Sequence, residues 1–366
     1  MKKNVAKTWM SIVLTCAMTA TLSLTGFSET TENKAEEVAT EAEGYVEGTE
    51  EIDPSDFPVA VCMDNMNHPV HRIVQMGFLK KAEELGYTDA KVIGTDGNDM
   101  SEKYASAEGF AAEGGKGLLM WAGDSSCFET IKSCADQGVI VGTPHFKLQT
   151  DDGNYPEGLR FNMACNPVTY GKQIADLMAE ALDGKEGSIG RTQNSMNTTE
   201  NAAQESFLDE WNTLADAGTY DLSKIKVLDV ELEGAQVDEA INIILGILQS
   251  NSDIIGAFGS CGNSPITWAD AASKAGKSDG EIWIAGMDAT EGNLDYLEKG
   301  KVQALVAQPL YDEAQKTMEY FDNLFRGGEV PMWTDLDAPI VTKDGEGKSG
   351  IQYHRDIASE VNEFFQ

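Results

Sequence analysis

From Phe57 to about Val330 the chain repeats one rhythm, a short and almost unbroken apolar run followed by a stretch with apolar residues at helical spacing. The runs FPVAVCM (57–63), AKVIGT (90–95), KGLLMW (116–121), GVIVGT (138–143) and GLRFNM (158–163) fill the first half. GSIGR, KIKVLDV, DIIGAFG, EIWIAGM and VQALVAQ continue it to residue 308. Strands that read as continuous apolar runs are buried on both faces, and helices of 10–15 residues between them imply parallel sheets covered on each side. The helical patterns fall at 70–85, 101–113, 126–137, 199–216, 237–250 and 311–326. Every crossover of this kind is expected to be right-handed. Ten strands over about 310 residues exceed one doubly wound sheet and divide into two groups of about five. The break falls in the polar stretch 147–166. In open α/β sheets ligands bind beyond the carboxyl ends of the strands, so two such lobes facing one another would form a cleft.

The first 56 residues do not share this rhythm. Lys2, Lys3 and Lys7 precede an apolar run from Trp9 to about Leu24 that contains no charge. A basic segment, an apolar core and small residues after it mark an export signal. Leu24-Thr25-Gly26 resembles the start of a lipid-attachment site, but Phe27 stands where that site needs cysteine. Two fates are open for residues 1–28: cleavage after Ser28, or retention as an anchor, since the run is near the lower limit of ~17 residues for spanning. Either places the body of the chain outside the cytoplasm. Residues 29–56 are acidic and poor in apolar side chains, with Lys34 their one cation. Such a segment buries too little to offset its ordering entropy and is expected to be a solvated tether.

The formal net charge of −34 argues against nucleic-acid partners and against adhesion to anionic lipid. Five cysteines lie beyond the leader: Cys62, Cys127, Cys134, Cys165 and Cys261. Cys127 and Cys134, if both helical, sit ~10.5 Å apart along the axis, beyond the ~7 Å limit for a disulfide. All five read as reduced, mostly buried thiols.

Three segments carry a resemblance. VAVCMDNMNHPVHRIVQMGFLKKAEELGY, GLLMWAGDSSCFETIKSCADQGVIVGT and IIGAFGSCGNSPITWADAASKAGKSDGEIWIAGMDATEGNLDYLEKGKVQALVAQ resemble, in order and spacing, the type I periplasmic solute-binding proteins. The similarity is greatest to the ribose/galactose-like sugar-binding branch that serves bacterial ABC importers. It implies two Rossmann-like, doubly wound lobes joined by three crossing segments near 163–166, 308–310 and 336–341. The lobes would then be 57–164 with 310–337, and 165–309 with 338–366. It further implies a small polar solute, a sugar, as ligand; ABC permease subunits as partners; a monomer; no cofactor; and no catalysis. Residues 342–366 extend past the matched region, with no role assigned to them.

The same resemblance implies the ligand site. Asn67 and His71 would come from the loop after the first strand, Trp121 and Asp124 from the next strand end, and His145 from the one after. Asn197, Asn201, Asn263 and Asp288 would come from the second lobe, and Gln308 from the hinge. Asn67, Asp288 and Gln308 match the family pattern. His145 stands at its usual aspartate, while Phe146 and Asn201 replace two arginines, removing rigid donor forks that histidine and amides replace poorly. Plain structural readings stand beside two of these, Asn67 and Asp124 as caps, while Trp121, at a strand end facing the cleft, is expected to serve the ligand as a stacking platform. His68, His71 and His145 raise zinc binding as an alternative, but no cysteine or carboxylate set completes such a site, and no metal is expected. Further alternatives are a sugar-sensing receptor and a glycoside-acting enzyme, which would need two carboxylates across the cleft.

Overall fold

A computed structural model describes residues 44–366 apart from Asn98, Asn197 and Ala235, with the side chain of Thr198 also left undescribed. The leader with Phe27 and Ser28, residues 29–43, and the expected ligand residue Asn197 lie outside the described residues.

The first lobe runs β1 (Val59–Met63), α1 (Pro69–Glu84), β2 (Ala90–Gly94), α2 (Met100–Ala112), β3 (Gly117–Met120), α3 (Phe128–Asp136), β4 (Ile140–Pro144) and β5 (Leu159–Cys165). The chain then crosses to the second lobe: α4 (Pro167–Leu182), β6 (Gly187–Gln193), α5 (Thr198–Ala217), β7 (Ile225–Leu232), α6 (Val237–Ser250), β8 (Ile254–Gly259), α7 (Ser264–Lys274), β9 (Trp283–Met287), α8 (Glu291–Glu298) and β10 (Ala304–Val306). It returns with α9 (Leu310–Phe325) and β11 (Trp333–Leu336), then crosses a third time into β12 (Ile340–Val341) and α10 (Ile351–Phe364).

Each lobe holds one six-stranded sheet, in the orders β2-β1-β3-β4-β5-β11 and β7-β6-β8-β9-β10-β12. The two orders correspond strand for strand. All pairings are parallel except β10 with β12. The continuous apolar character of β1 follows from burial on both faces, since all five of its residues are inaccessible. In the first lobe Phe78 of α1 and Phe321 of α9 pack over Val59, Val61 and Phe161. In the second, Tyr170 of α4 and Phe207 and Trp211 of α5 pack with Ile189 and Phe258. The helix that each crossing delivers thus packs into the core of its new lobe. Among the described residues no helix is long and apolar enough to cross a membrane.

Three expectations change. The tether does not extend to residue 56. From Gly44 onward the chain lies against the first lobe, with Val46 bridging Glu329 and Tyr45, Ile52 and Phe57 packed on its core. Asn323 holds this segment by accepting from Gly48 N (2.7 Å) and donating to Val46 O (2.9 Å). A Cβ on Gly48 would meet Asn323 O at 2.5 Å, so the close approach needs glycine. Averaged composition hid three apolar anchors among the acids. The strand count rises from ten to twelve, because β11 and β12 form as the chain makes its last crossing. Residues 342–366 acquire a place, with α10 lying beside both α1 and α8.

Candidate binding cleft

The strand ends of the two lobes face each other, and the side chains there can be followed from the first lobe upward. Just past β1, Asp64 pairs with Lys103 of α2, whose ammonium also donates to the carbonyl of Trp121 past β3. Lys103 is wholly buried. A buried ammonium survives only when paired, and this one ties two loops at the cleft floor together.

Above it stands a ladder of rings. His71 lies 4.8 Å from Trp121, and Trp121 stacks on His145 at 4.6 Å and 19° between planes. Trp121 is only 5% exposed. The stacking platform expected at Trp121 already carries His145 on one face. Burial pushes the His71 imidazole below its ordinary range, although its Nδ1–H donates to the carbonyl of Asn65 at 2.9 Å. The ring is thus kept neutral.

His145 follows β4 with φ +72°, and its amide donates to Met163 O at 2.8 Å. Its Nδ1 lies 3.7 Å from Oε2 of Glu313 on α9. Glu313 has no exposed surface, and neither of its oxygens has a hydrogen-bond partner among the described residues.

The second lobe answers from the corresponding strand. Asp288 follows β9 with φ +68°, and its amide donates to Val306 O at 2.8 Å. The side-chain amide of Asn293 fixes this turn by donating to the carbonyls of Gly262 (2.9 Å), Met287 (3.0 Å) and Asp288 (2.8 Å). The carboxylate lies over Gly262, where a Cβ would sit 2.4 Å from Oδ2. Burial raises the Asp288 carboxyl above the usual carboxylate range, and the charge of His145 acts in the opposite sense.

Asn67, Asp288 and Gln308 line one interlobe cavity of about 600 Å³. His71, Trp121, His145, Asn201 and Asn263 do not line it. Asn67 is exposed and held by Asp96 and Arg72 (2.9 and 3.1 Å). It is not the cap of α1; His68 is, its Nδ1 accepting from Val70 N. Asp124 does cap, accepting from Ser126 N at 2.8 Å at the surface. Asn201 accepts from Gln193 Nε2 at 2.8 Å, and Asn263 is exposed at the start of α7.

The five thiols are unpaired. Burial pushes Cys62 up to about 12 and Cys127 and Cys134 up to about 11, which keeps them protonated and unreactive. Cys261 is pushed up to about 12 by burial and by Glu233, whose carboxylate accepts from its thiol at 2.8 Å. Of the histidines proposed for zinc, His68 is engaged as a cap and His71 by Asn65. Among the described residues no cluster of three or more His, Cys, Asp or Glu assembles for a metal.

Sequence reasoning missed Lys103, Glu313, Asn293 and the whole of α10. For two of these a signal existed. Lys103 shares a stripe with Ala107 and Phe110, and Glu313 one with Leu310, Thr317 and Phe321. A charge on the buried stripe of an amphipathic helix is expected to have a purpose.

Two matched α/β lobes, three crossing segments and an interlobe cavity lined by polar residues from both sides define a hinged, cleft-binding protein. The periplasmic binding protein domain family matches residues 59–329, and the chain belongs to that family. Among curated relatives, the ribose import binding protein RbsB of Haemophilus influenzae is 22% identical over 287 residues, covering 78% of this chain and 91% of its own. Similar solved structures include a solute-binding protein from Actinobacillus succinogenes with bound D-allose (TM-score 0.67, 17% identity, 79% of this chain and 98% of that one). Another is AraP, an arabinose-binding protein from Geobacillus stearothermophilus (TM-score 0.66, 18% identity, 78% and 96%).

Proposed function

We propose that this chain is the extracytoplasmic substrate-binding component of an ABC importer and captures a sugar by closing its lobes. The observation that carries the reading is that Asn67 of one lobe, Asp288 of the other and Gln308 of the hinge line a single cavity. Those three positions also match the resemblance in residue type. The relatives that bind ribose, D-allose and arabinose support a sugar as the ligand class.

A ligand held by both lobes binds the closed form better, and shifts the open–closed equilibrium by that difference alone. The permease then reads the closed surface. A role without catalysis is supported by the state of the carboxylates: Asp64 is tied to Lys103, and Glu313 lies sealed behind His145. Export rests on the basic and apolar leader.

The test is a thermal-shift screen of monosaccharides and their glycosides on the exported chain, repeated on Asp288→Ala. A shift from one or a few sugars, lost in the variant, is expected. A flat response across pentoses, hexoses and their glycosides would sink the reading, and intact mass of the exported form checks the leader.

A further inference from the structure

The residues after the family match do more than trail. α10 lies across both lobes: Glu360 pairs with Lys80 of α1, while Arg355 pairs with Asp295 (2.8 Å) and Glu298 (3.0 Å) of α8. Just before it, Lys348 pairs with Asp312 of α9 at 2.8 Å. Held in this way, α10 forms one wall of the interlobe cavity.

The lining mixes two chemistries. Asn67, Asp288 and Gln308 bring polar groups from both lobes and the hinge, joined by Arg72, His354 and Asn362. Val70 and Ile73 of α1 and Ile357, Ala358 and Val361 of α10 bring apolar ones. All of these but Val361 are only half-buried, so apolar surface remains for a ligand to cover. The volume, about 600 Å³, falls within the ~300–1,000 Å³ of sites that enclose drug-sized ligands. A free monosaccharide would leave much of it empty.

Resting on the reading above, we infer that α10 completes the binding site, and that the solute is a sugar carrying an apolar substituent, a glycoside. The hydroxyl-bearing ring meets Asn67, Asp288 and Gln308, and the aglycone covers the apolar side chains of α1 and α10. Contact of one ligand with α1, α8 and α10 also accounts for why a helix outside the family match is tied to both lobes.

The test is calorimetric titration of the full exported chain with a panel of free sugars, including D-ribose, D-allose and D-glucose, and with their phenyl β-glycosides. At least one phenyl glycoside is expected to bind ten times or more tighter than its parent sugar. Ala358→Trp, which fills the space beside α10, should bring that ratio towards one, and Ile357→Ala should lower it several-fold. The Tm of each variant, measured alongside, shows whether it folds, and the milder Ile357→Ala keeps the test open if the tryptophan does not. Free sugars binding as well as or better than their glycosides would overturn the inference and leave the importer reading standing. Glycosides that bind the wild type and both folded variants with the same advantage would also overturn it. No binding by either series would sink both.

Discussion

Gly262→Ala isolates the part played by Asp288. The glycine is not in the left-handed region, so alanine fits its backbone, and the substitution acts through space alone. The new Cβ would stand 2.4 Å from Asp288 Oδ2 and 3.3 Å from its Cγ. The carboxylate must withdraw by about 1 Å to reach ordinary contact near 3.4 Å. Its main chain cannot follow, because Val306 O and Asn293 hold the turn from two sides. The side chain must therefore leave its rotamer, at a cost of ~0.5–1.5 kcal/mol, or swing out of the cleft. A hydrogen bond from ligand to a charged carboxylate contributes ~1.5–3 kcal/mol, and its loss weakens binding by roughly 10- to 150-fold. The assay is titration calorimetry with a sugar identified by the thermal-shift screen, beside a urea midpoint of the ligand-free protein. The expected result is a weakened Kd with a ligand-free stability within about 1.5 kcal/mol of wild type. An unchanged Kd would refute the reasoning, since Asp288 would then have been displaced without consequence.

Glu313→Met removes a buried carboxyl that has no hydrogen-bond partner among the described residues, at similar volume. Leaving a buried polar group unsatisfied costs about 1–3 kcal/mol. At ~2.1 cal/mol/K of unfolding entropy per residue over roughly 320 residues, the variant should melt about 2–4 °C higher by calorimetry; a lower Tm would mean the carboxylate is satisfied after all. His71 sets an acid limit. Its folded-state value lies below the ordinary 6.5, so the unfolded chain takes up a proton that the folded one refuses, and stability is lost as pH falls below about 6.5. Urea midpoints at pH 7 and 5.5 should show a smaller loss in His71→Gln than in wild type, the remainder including His354, also held low by burial; equal losses would exclude His71 as a source.

The architecture was legible because the inner strands, such as β1, β3 and β8, announce their double burial in unbroken apolar runs, and the helices between them their stripes. What escaped notice was set by contacts between distant parts of the chain. Nothing in the local sequence of Tyr45-Val46 says that Asn323 waits for it. Nothing near Ile351 says that its helix will lie on α1, because the partners, Lys80 and Glu360, are 280 residues apart. Strands β11 and β12 escaped for a different reason, being too short to show a period and existing only because the third crossing passes beside β5 and β10. At the site, Asp288 and Gln308 line the cavity, Trp121 carries a stacked imidazole and Asp124 caps a turn. A sequence shows which side chains reach a strand end, and their neighbours decide how much of each is left for a ligand.

His145 and Asp288 join the fold to that site. Among the described residues they are the only non-glycine positions with φ in the left-handed region, a conformation that costs ~1–2 kcal/mol per residue. They occupy the same place in their two lobes, one step past β4 and β9, with each amide given to the carbonyl of the next strand, Met163 O and Val306 O. The hydrogen bond fixes the backbone, and the left-handed turn directs the side chain off the sheet instead of along it. Glycine would relieve the strain at either place but would carry no chemistry to the cleft. That both turns keep a polar side chain, imidazole on one lobe and carboxylate on the other, makes the shared cost intelligible. The matched sheets place one strained turn at the same strand end of each lobe, and the residues on them put an imidazole on one and a carboxylate on the other.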